Sequence, residues 1–145
     1  MAQERIHLDT SLGYLLKEAA SALRVAMEDV LRPLGMTITH YSCLELLAQR
    51  PGLSNSDLAR GAFVTRQSMN VLLQALESEG IVERADTPTV GKALPTRLTE
   101  KGHRALGAAS AAVRDVERRM LSGMTDAEQE AALHALRSMV AALRS

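Results

Sequence analysis

The stretch at residues 53–80, which reads LSNSDLARGAFVTRQSMNVLLQALESEG, constrains the fold of this chain more than any other. Ser54 and Asp57 have the spacing of a capping box, with Asp in the place usually taken by Glu, and they predict a short helix that ends at about Arg60. Gly61 is expected to stop that helix, and a second capped helix follows within a few residues. Two short helices joined by a tight turn form a helix-turn-helix.

The second helix is predicted to begin after a cap at Thr65 and to end at Gly80, which supplies a left-handed stop. Its apolar residues recur at spacings of three and four and should form one buried stripe: Met69, Leu72, Leu73 and Leu76. The side chains that then point outward are Arg66, Gln67, Asn70 and Gln74, with Thr65, Ser68 and Val71 near the edge.

An exposed polar face on the second helix of a helix-turn-helix can lie in a DNA major groove. Gln and Asn can form two hydrogen bonds with adenine, and Arg can bond guanine or phosphate. The methyl groups of Val and Thr can contact a thymine methyl. The residue types on this face therefore indicate that it reads double-stranded DNA.

The rest of the chain is also predicted to be mostly helical. Tyr14, Tyr41 and Phe63 are the only aromatic residues, whereas Leu, Ala and Met are abundant. This composition favours helices that pack through aliphatic side chains over a β-sandwich or a barrel. A chain of 145 residues with 46% apolar content suits one globular domain, spanning residues 1–145.

Four further helices are indicated by capping residues and by apolar residues at spacings of three and four. They are expected to run from about Ser11 to Arg32, from Thr37 to the RPG at 50–52, from Thr99 to about Leu121 and from Thr125 to about Leu143. Asp9 or Thr10 is the expected cap of the first. Gly102 and Gly107 are expected to weaken the helix that begins at Thr99, which is the fifth helix of the chain.

Residues 81–98, IVERADTPTVGKALPTRL, interrupt the helical period. Two short runs suited to β-strands flank a turn at Pro88 and Gly91, which predicts a small hairpin. Pro95 lacks a backbone N–H, so its run should be an edge strand. A hairpin that directly follows a helix-turn-helix makes a winged helix, which is predicted here at residues 37–98.

Overall charge and composition exclude several classes of function. The formal net charge is zero, so evidence for a nucleic-acid partner must come from where the cations lie. No stretch approaches the ~20 apolar residues of a membrane span, and we expect a soluble, cytoplasmic protein without a membrane partner. The sequence shows no nucleophile paired with a base, no paired inward carboxylates and no glycine-rich phosphate loop, so we expect no catalysis and no cofactor.

The single cysteine and the histidines offer little specific chemistry. Cys43 lies on the apolar stripe of a predicted helix, so a buried, inert thiol is expected rather than a redox sensor. His7, His40, His103 and His134 lie far apart, without the three- or four-residue spacing of a helical metal site. We therefore expect no metal.

The segment GMTITHYSCLELLAQRPGLSNSDLARGAFVTRQSMNVLLQALESEGIVERAD, followed by LTEKG, resembles the MarR family of winged helix-turn-helix transcriptional regulators. The parts PGLSNSDLAR, VTRQSMNVLLQALESEGIVER and LTEKG match the family pattern without a gap, and the resemblance covers almost the whole chain. It implies a homodimer held by the first, fifth and sixth helices, which fall in residues 8–34 and 99–145. It also implies a pseudo-palindromic operator, repression as the commoner outcome, and often release of DNA by a small aromatic or phenolic effector.

The resemblance and the exposed face together give the expected site residues. The DNA-binding set is Ser54, Thr65, Arg66, Gln67, Ser68, Asn70, Val71, Gln74, Arg84, Lys92 and Arg97. The dimer set is Leu12, Leu16, Leu133, Leu136, Val140 and Leu143. Tyr14, His40 and Tyr41 have polar tips that could face an effector between the dimerisation helices and the winged region, although Tyr41 fits a packing role better.

The wing departs from the family pattern. The family usually has Asp-x-Arg at the wing tip, with the Arg entering the minor groove, whereas this chain has Val90, Gly91 and Lys92. Lys92 keeps the charge but loses the planar fork of Arg, and the Asp that would orient it is missing. The alternative reading is a dimeric winged-helix module that binds a partner protein and no longer binds DNA.

Overall fold

The computed structural model describes residues 4–84 and 95–145, which fold into helices and one pair of short strands. The helices are α1 (Leu12–Leu31), α2 (Ile38–Gln49), α3 (Asn55–Gly61), α4 (Arg66–Ser78), α5 (Glu100–Met120) and α6 (Asp126–Arg144). The strands are β1 (Val82–Arg84) and β2 (Thr96–Leu98). The mostly α winged-helix architecture expected from the sequence is confirmed. No helix in the described part of the chain is both long and apolar enough to cross a membrane.

Side-chain caps begin the helices where the sequence places them, with one exception. In α2 to α6 the caps are Thr37, Ser54, Thr65, Thr99 and Thr125, and each accepts a hydrogen bond from the backbone three residues on. The predicted cap of α1 is wrong. Asp9 and Thr10 lie in a 3-10 turn, Leu8–Thr10, and Ser11 is the cap because its hydroxyl accepts from the N–H of Tyr14 at 3.2 Å.

The turn between α3 and α4 also differs from the prediction. Gly61 does not stop α3 but is its last residue, and a Cβ there would come within 2.9 Å of the Leu46 side chain on α2. The left-handed residue is Phe63, at φ 60°. The N–H of Phe63 bonds the carbonyl of Arg60, and the N–H of Val64 bonds that of Ala59, which is the Schellman arrangement that usually has Gly in the left-handed place.

The two strands pair antiparallel, with Val82 opposite Leu98 and Arg84 opposite Thr96. Gly80, at φ 75°, ends α4 as expected and turns the chain into β1. The hydroxyl of Thr99, the cap of α5, donates to the Gly80 carbonyl at 2.6 Å. The base of the hairpin is therefore fixed to the end of α4 and to the start of α5.

Gly102 allows α5 to pack closely against the backbone at Ile81. The prediction that this glycine weakens the helix did not include that role. Gly102 is buried in the first turn of α5, and a Cβ there would overlap the Ile81 carbonyl oxygen. Gly107, in the same helix, has open space around its Cβ position, so its expected cost to helix stability stands as a prediction.

The core lies in the helix-turn-helix region and includes Leu106 and Ala109 of α5, whereas α1 and α6 contribute little to it. Its fully buried large side chains come from α2, α3, α4, β1 and the end of α1: Leu31, Cys43, Leu44, Leu58, Met69, Leu73, Leu76 and Val82. Leu31 is the only buried residue of α1, and α6 contains none. The division into a winged region at 37–98 and dimerisation segments at 8–34 and 99–145 stays a prediction.

Candidate nucleic-acid interface

The face of α4 that the sequence assigns to DNA is exposed. Met69, Leu73 and Leu76 are buried, and Leu72 is partly buried against the same core. The opposite side presents the residues Arg66, Gln67, Ser68, Asn70, Val71 and Gln74. Val71 leaves 63% of its surface in water. Packing within this chain gives no reason for an apolar residue at so exposed a position.

Two members of the face also hold the start of α4 in place. The Thr65 hydroxyl accepts from the Ser68 N–H at 3.1 Å and donates to the Ser68 hydroxyl at 2.9 Å. Thr65 and Ser68 therefore have a structural role as a cap, and any contact that they make with DNA is additional.

Asn70 is held by a residue that the sequence prediction omitted. The side-chain amide of Asn55, in the first turn of α3, donates to Oδ1, the side-chain oxygen of Asn70, at 2.6 Å. The two residues lie fifteen positions apart and belong to different helices, so no local pattern points to this pair. The bond occupies one acceptor position of Asn70 and leaves its NH₂ group free to donate to a base edge.

Ser54 forms the capping box predicted for α3. Its hydroxyl accepts from the Asp57 N–H at 3.1 Å, and the Asp57 carboxylate accepts from the Ser54 hydroxyl at 2.9 Å and from the Ser54 N–H at 3.4 Å. Arg60 also bonds this carboxylate. The hydrogen bonds from Ser54, followed by that from Arg60, hold the pKa of Asp57 below its usual range.

The predicted phosphate contacts at the hairpin base are paired with acidic residues. Arg84 lies 3.3 Å from the Glu77 carboxylate, and Arg97 lies 2.9 Å from that of Glu83. Both pairs are exposed and contribute little stability, so either arginine can exchange its partner for a phosphate at low cost. The predicted contact at Lys92 lies outside the described residues, as does the whole wing tip at 90–92.

The predicted dimer residues are exposed on the single chain. Each leaves 45% or more of its surface in water, and the values reach 68% at Leu12 and 88% at Leu143: Leu12, Leu16, Leu133, Leu136, Val140 and Leu143. They lie on α1 and α6, the helices that contribute least to the core.

The three residues proposed for an effector have different surroundings. Tyr14 is exposed, whereas Tyr41 is buried and donates to Glu45, which also accepts from Ser110 of α5 at 3.0 Å. Burial, followed by the bond to Glu45, raises the pKa of Tyr41. Burial lowers the pKa of His40, and the charge of Glu79 partly opposes this.

Two cavities contact the terminal helices, and neither is lined by Tyr14, His40 or Tyr41. One, of about 260 Å³, lies between α1 and α5 and is apolar except for Arg119. The other, of about 770 Å³, is a cleft at the outer side of the α3–α4 turn. Its lining residues are Leu46, Arg50, Leu53, Asp57, Arg60, Gly61, Phe63 and Arg144.

The expected burial of Cys43 is confirmed. Its side chain is fully buried, and burial raises the pKa of the thiol to about 12. At neutral pH such a thiol is protonated and unreactive. No cluster of three or more potential metal-binding side chains occurs in the residues that the structure describes.

Comparison with known proteins identifies the class of the molecule. The MarR family model matches residues 34–93. An HTH-type transcriptional repressor of Mycobacterium tuberculosis, Rv2887, is 41% identical over 121 residues, which cover 83% of this chain and 87% of that protein. The chain belongs to the MarR family.

Solved structures of that relative have the same fold as this MarR-family chain. Rv2887 in complex with DNA aligns with a TM-score of 0.74 at 38% identity, covering 90% of this chain and 98% of the other. Rv2887 in complex with salicylic acid aligns with a TM-score of 0.75 at 39% identity, covering 90% and 97%. This MarR-family chain is a DNA-binding transcriptional regulator rather than an enzyme, and proteins of its family are dimers.

Proposed function

We propose that a homodimer of this chain binds a pseudo-palindromic operator and inserts one α4 into the major groove of each half-site. The observation that carries the proposal is the exposed face of α4, where Arg66, Gln67 and Asn70 lie side by side. These side chains have no role in the core, and their types match base-edge contacts. A relative of 41% identity has been solved with DNA, which supports this use of the fold.

Repression is the proposed outcome, because the similar mycobacterial protein is a repressor. A dimer that covers two half-sites about one helical turn apart blocks access to the DNA between them. The proposed site of action is the cytoplasm, because the similar repressor belongs to a bacterium, whose chromosome lies there.

The proposed effector is a small aromatic acid. The same relative has been solved with salicylic acid, and this chain has a cavity of about 260 Å³ and a cleft of about 770 Å³ beside its terminal helices. An effector releases DNA only if it binds more tightly to the conformation with lower operator affinity.

A titration against the intergenic DNA that flanks the regulator's own gene tests the proposal. We expect a specific complex there, and weaker binding to a non-cognate duplex with a steep salt dependence. Binding to neither duplex at low salt would favour the protein-interaction module instead.

A further inference from the structure

We propose that Asn55 sets the base preference of Asn70, so that Asn70 selects a base with a keto group and rejects a base with an amino group. In the major groove guanine and thymine present the keto oxygens O6 and O4, whereas adenine and cytosine present the amino groups N6 and N4. This assignment rests on the operator binding proposed above, and it names the chemistry that is read at one position. It differs from the two hydrogen bonds to adenine that the residue type alone suggests.

The hydrogen bond between the two amides fixes which end of Asn70 is free. Nδ2 of Asn55 donates to Oδ1 of Asn70 at 2.6 Å, across the junction of α3 and α4. Asn70 is exposed and Asn55 is half-buried, so the pair lies at the surface where the two helices meet. The oxygen and the NH₂ group of an amide are separate branches of one planar group. Because the oxygen is held towards α3, the NH₂ group is the branch that remains free.

The position of Asn55 places the free branch on the groove side. In a helix-turn-helix on DNA, the second helix lies in the major groove and the first helix crosses the sugar-phosphate backbone. Asn55 is the first residue of α3, which is the first of the two helices. The Asn70 oxygen is therefore held towards the backbone. Its NH₂ group can reach a base edge beside Gln67, which lies one helical turn earlier on the exposed face of α4.

The NH₂ group of Asn70 and its oxygen would select opposite bases. An NH₂ group only donates, so the keto oxygen of guanine or thymine satisfies it. Against the amino group of adenine or cytosine two donors would meet, and each would lose a bond with water without gaining a partner. Two hydrogen bonds with adenine require the oxygen and the NH₂ group side by side on the base edge, and the bond to Asn55 opposes that orientation.

The amide pair is not needed to hold α3 and α4 together. Leu58 of α3 and Met69 and Leu73 of α4 are buried in the core that joins the two helices. A surface hydrogen bond replaces bonds with water at a small net gain. Asn55 can therefore be substituted without unfolding the region. Asp is the matched replacement, because it has nearly the same shape and its charge is favourable in the first turn of a helix.

Asn55→Asp reverses the polarity of the pair and tests the assignment. A carboxylate only accepts, so Asn70 must turn its NH₂ group towards it and present its oxygen to the groove. Fluorescence anisotropy measures the base preference on operator duplexes that carry each of the four base pairs at each position. Asn70→Ala identifies the position concerned, because the preference is lost there.

At that position the wild type should bind duplexes with a keto base on the strand read by Asn70 roughly tenfold more tightly than duplexes with an amino base. Asn55→Asp should reverse this order, and Asn55→Ala should bring the ratio towards one. Ser56→Asp, which adds the same charge at the next residue of α3, is the control. It should weaken binding to all duplexes alike and keep the wild-type order.

A second measurement uses the wild type alone. Purine in place of adenine removes the N6 amino group, and it is introduced on one strand at a time. On the strand that Asn70 reads, this change should strengthen binding because it removes the opposing donor, and on the other strand it should have little effect. Weaker binding on the read strand would show that Asn70 accepts from N6, and the assignment would be wrong even if Asn55→Asp failed to fold.

The remaining contrary results have separate meanings. An unchanged base order in a folded Asn55→Asp would show that Asn55 does not set the preference, and the same order change in Ser56→Asp would attribute it to charge alone. Either result would overturn the assignment. The proposed function would stand in both cases, provided that the operator is bound more tightly than a non-cognate duplex. Equal binding of the wild type to both duplexes would overturn the proposed function and the assignment together.

Discussion

At the residue scale, members of the exposed polar face of α4 are held in place by side chains outside the face or at its edge. Asn55 fixes the amide of Asn70 from a neighbouring helix, and Thr65 fixes Ser68 within the cap. Such contacts reduce the rotamer freedom that a side chain must lose when it binds a base. The base specificity proposed for this face should therefore depend on more residues than those that contact DNA.

Asn55→Ala should relax the base preference at the position that Asn70 reads, because the Asn70 amide would lose its anchor. We expect a loss of about 0.5–1.5 kcal/mol on operator DNA, which is the usual worth of one hydrogen bond. A double-mutant cycle with Asn70→Ala, measured by titration of operator variants, should show coupling between the two residues. Additive losses would mean that the amide pair does not matter in the complex.

His40 should make stability depend on pH. Its Nε2 atom is buried and has no hydrogen-bond partner within residues 4–84 and 95–145. Because burial lowers the pKa of His40 in the folded state, the unfolded chain takes up the proton first as the pH falls through about 6.5. The free energy of unfolding should therefore decrease below that pH and level off above it.

Urea unfolding of His40→Gln at pH 7.5 and 5.5 checks this expectation. The difference in unfolding free energy between the two pH values should shrink relative to the wild type. The exposed His103→Gln variant controls for the loss of a histidine as such. An unchanged difference in His40→Gln would show that other groups cause the acid sensitivity.

At the scale of helices and strands, the caps were predictable from the sequence because they depend on residues three positions apart. Ser54, Thr65 and Thr99 cap their helices as expected. The left-handed Phe63 was not predictable, since Gly61 is the better candidate by residue type alone. Gly61 and Gly102 are explained instead by neighbours that are distant in sequence, Leu46 and Ile81.

The candidate DNA-binding site also has a part that was predictable from the sequence and a part that was not. The exposed face of α4 follows from helical periodicity, and the sequence predicted its members. The Asn55–Asn70 bond, the ion pairs of Arg84 and Arg97 and the cleft beside Phe63 depend on how separate elements pack. No spacing along the chain encodes those contacts.

The two glycines of α5 should respond oppositely to the same substitution. Gly102→Ala places a methyl group against the Ile81 carbonyl oxygen, where backbone would have to move, and should destabilise the fold by about 1–3 kcal/mol or more. Gly107→Ala has open space and should stabilise it by about 0.5–1 kcal/mol. Urea unfolding measures both, and a neutral Gly102→Ala would contradict the packing described at the hairpin base.

At the scale of the whole molecule, the apolar residues of the terminal helices α1 and α6 remain largely exposed in a single chain. Leucines and a valine at regular spacing on α6 remain exposed, and no residue of that helix is buried. Exposed stripes of this kind mark an interface with another protein. The second copy of a homodimer would bury them and would also set the distance between the two reading helices.

Analytical ultracentrifugation should therefore show a dimer at micromolar concentration. Leu136→Glu places a charge in the α6 stripe and should shift the sedimentation towards the monomer, because a buried unpaired charge is costly. The same variant should weaken operator binding, since one half-site alone makes half of the contacts. A well-folded wild-type monomer at that concentration would contradict the two-site geometry.

The central claim is that the exposed face of α4 reads bases, and fluorescence anisotropy over a series of salt concentrations tests it directly. Gln67→Ala should cost about 1–3 kcal/mol on operator DNA and leave binding to a non-cognate duplex nearly unchanged. Arg97→Ala should weaken both duplexes alike and lower the salt slope by about one. If Gln67→Ala and Asn70→Ala both bind operator DNA as the wild type does, the polar face of α4 serves something other than base edges.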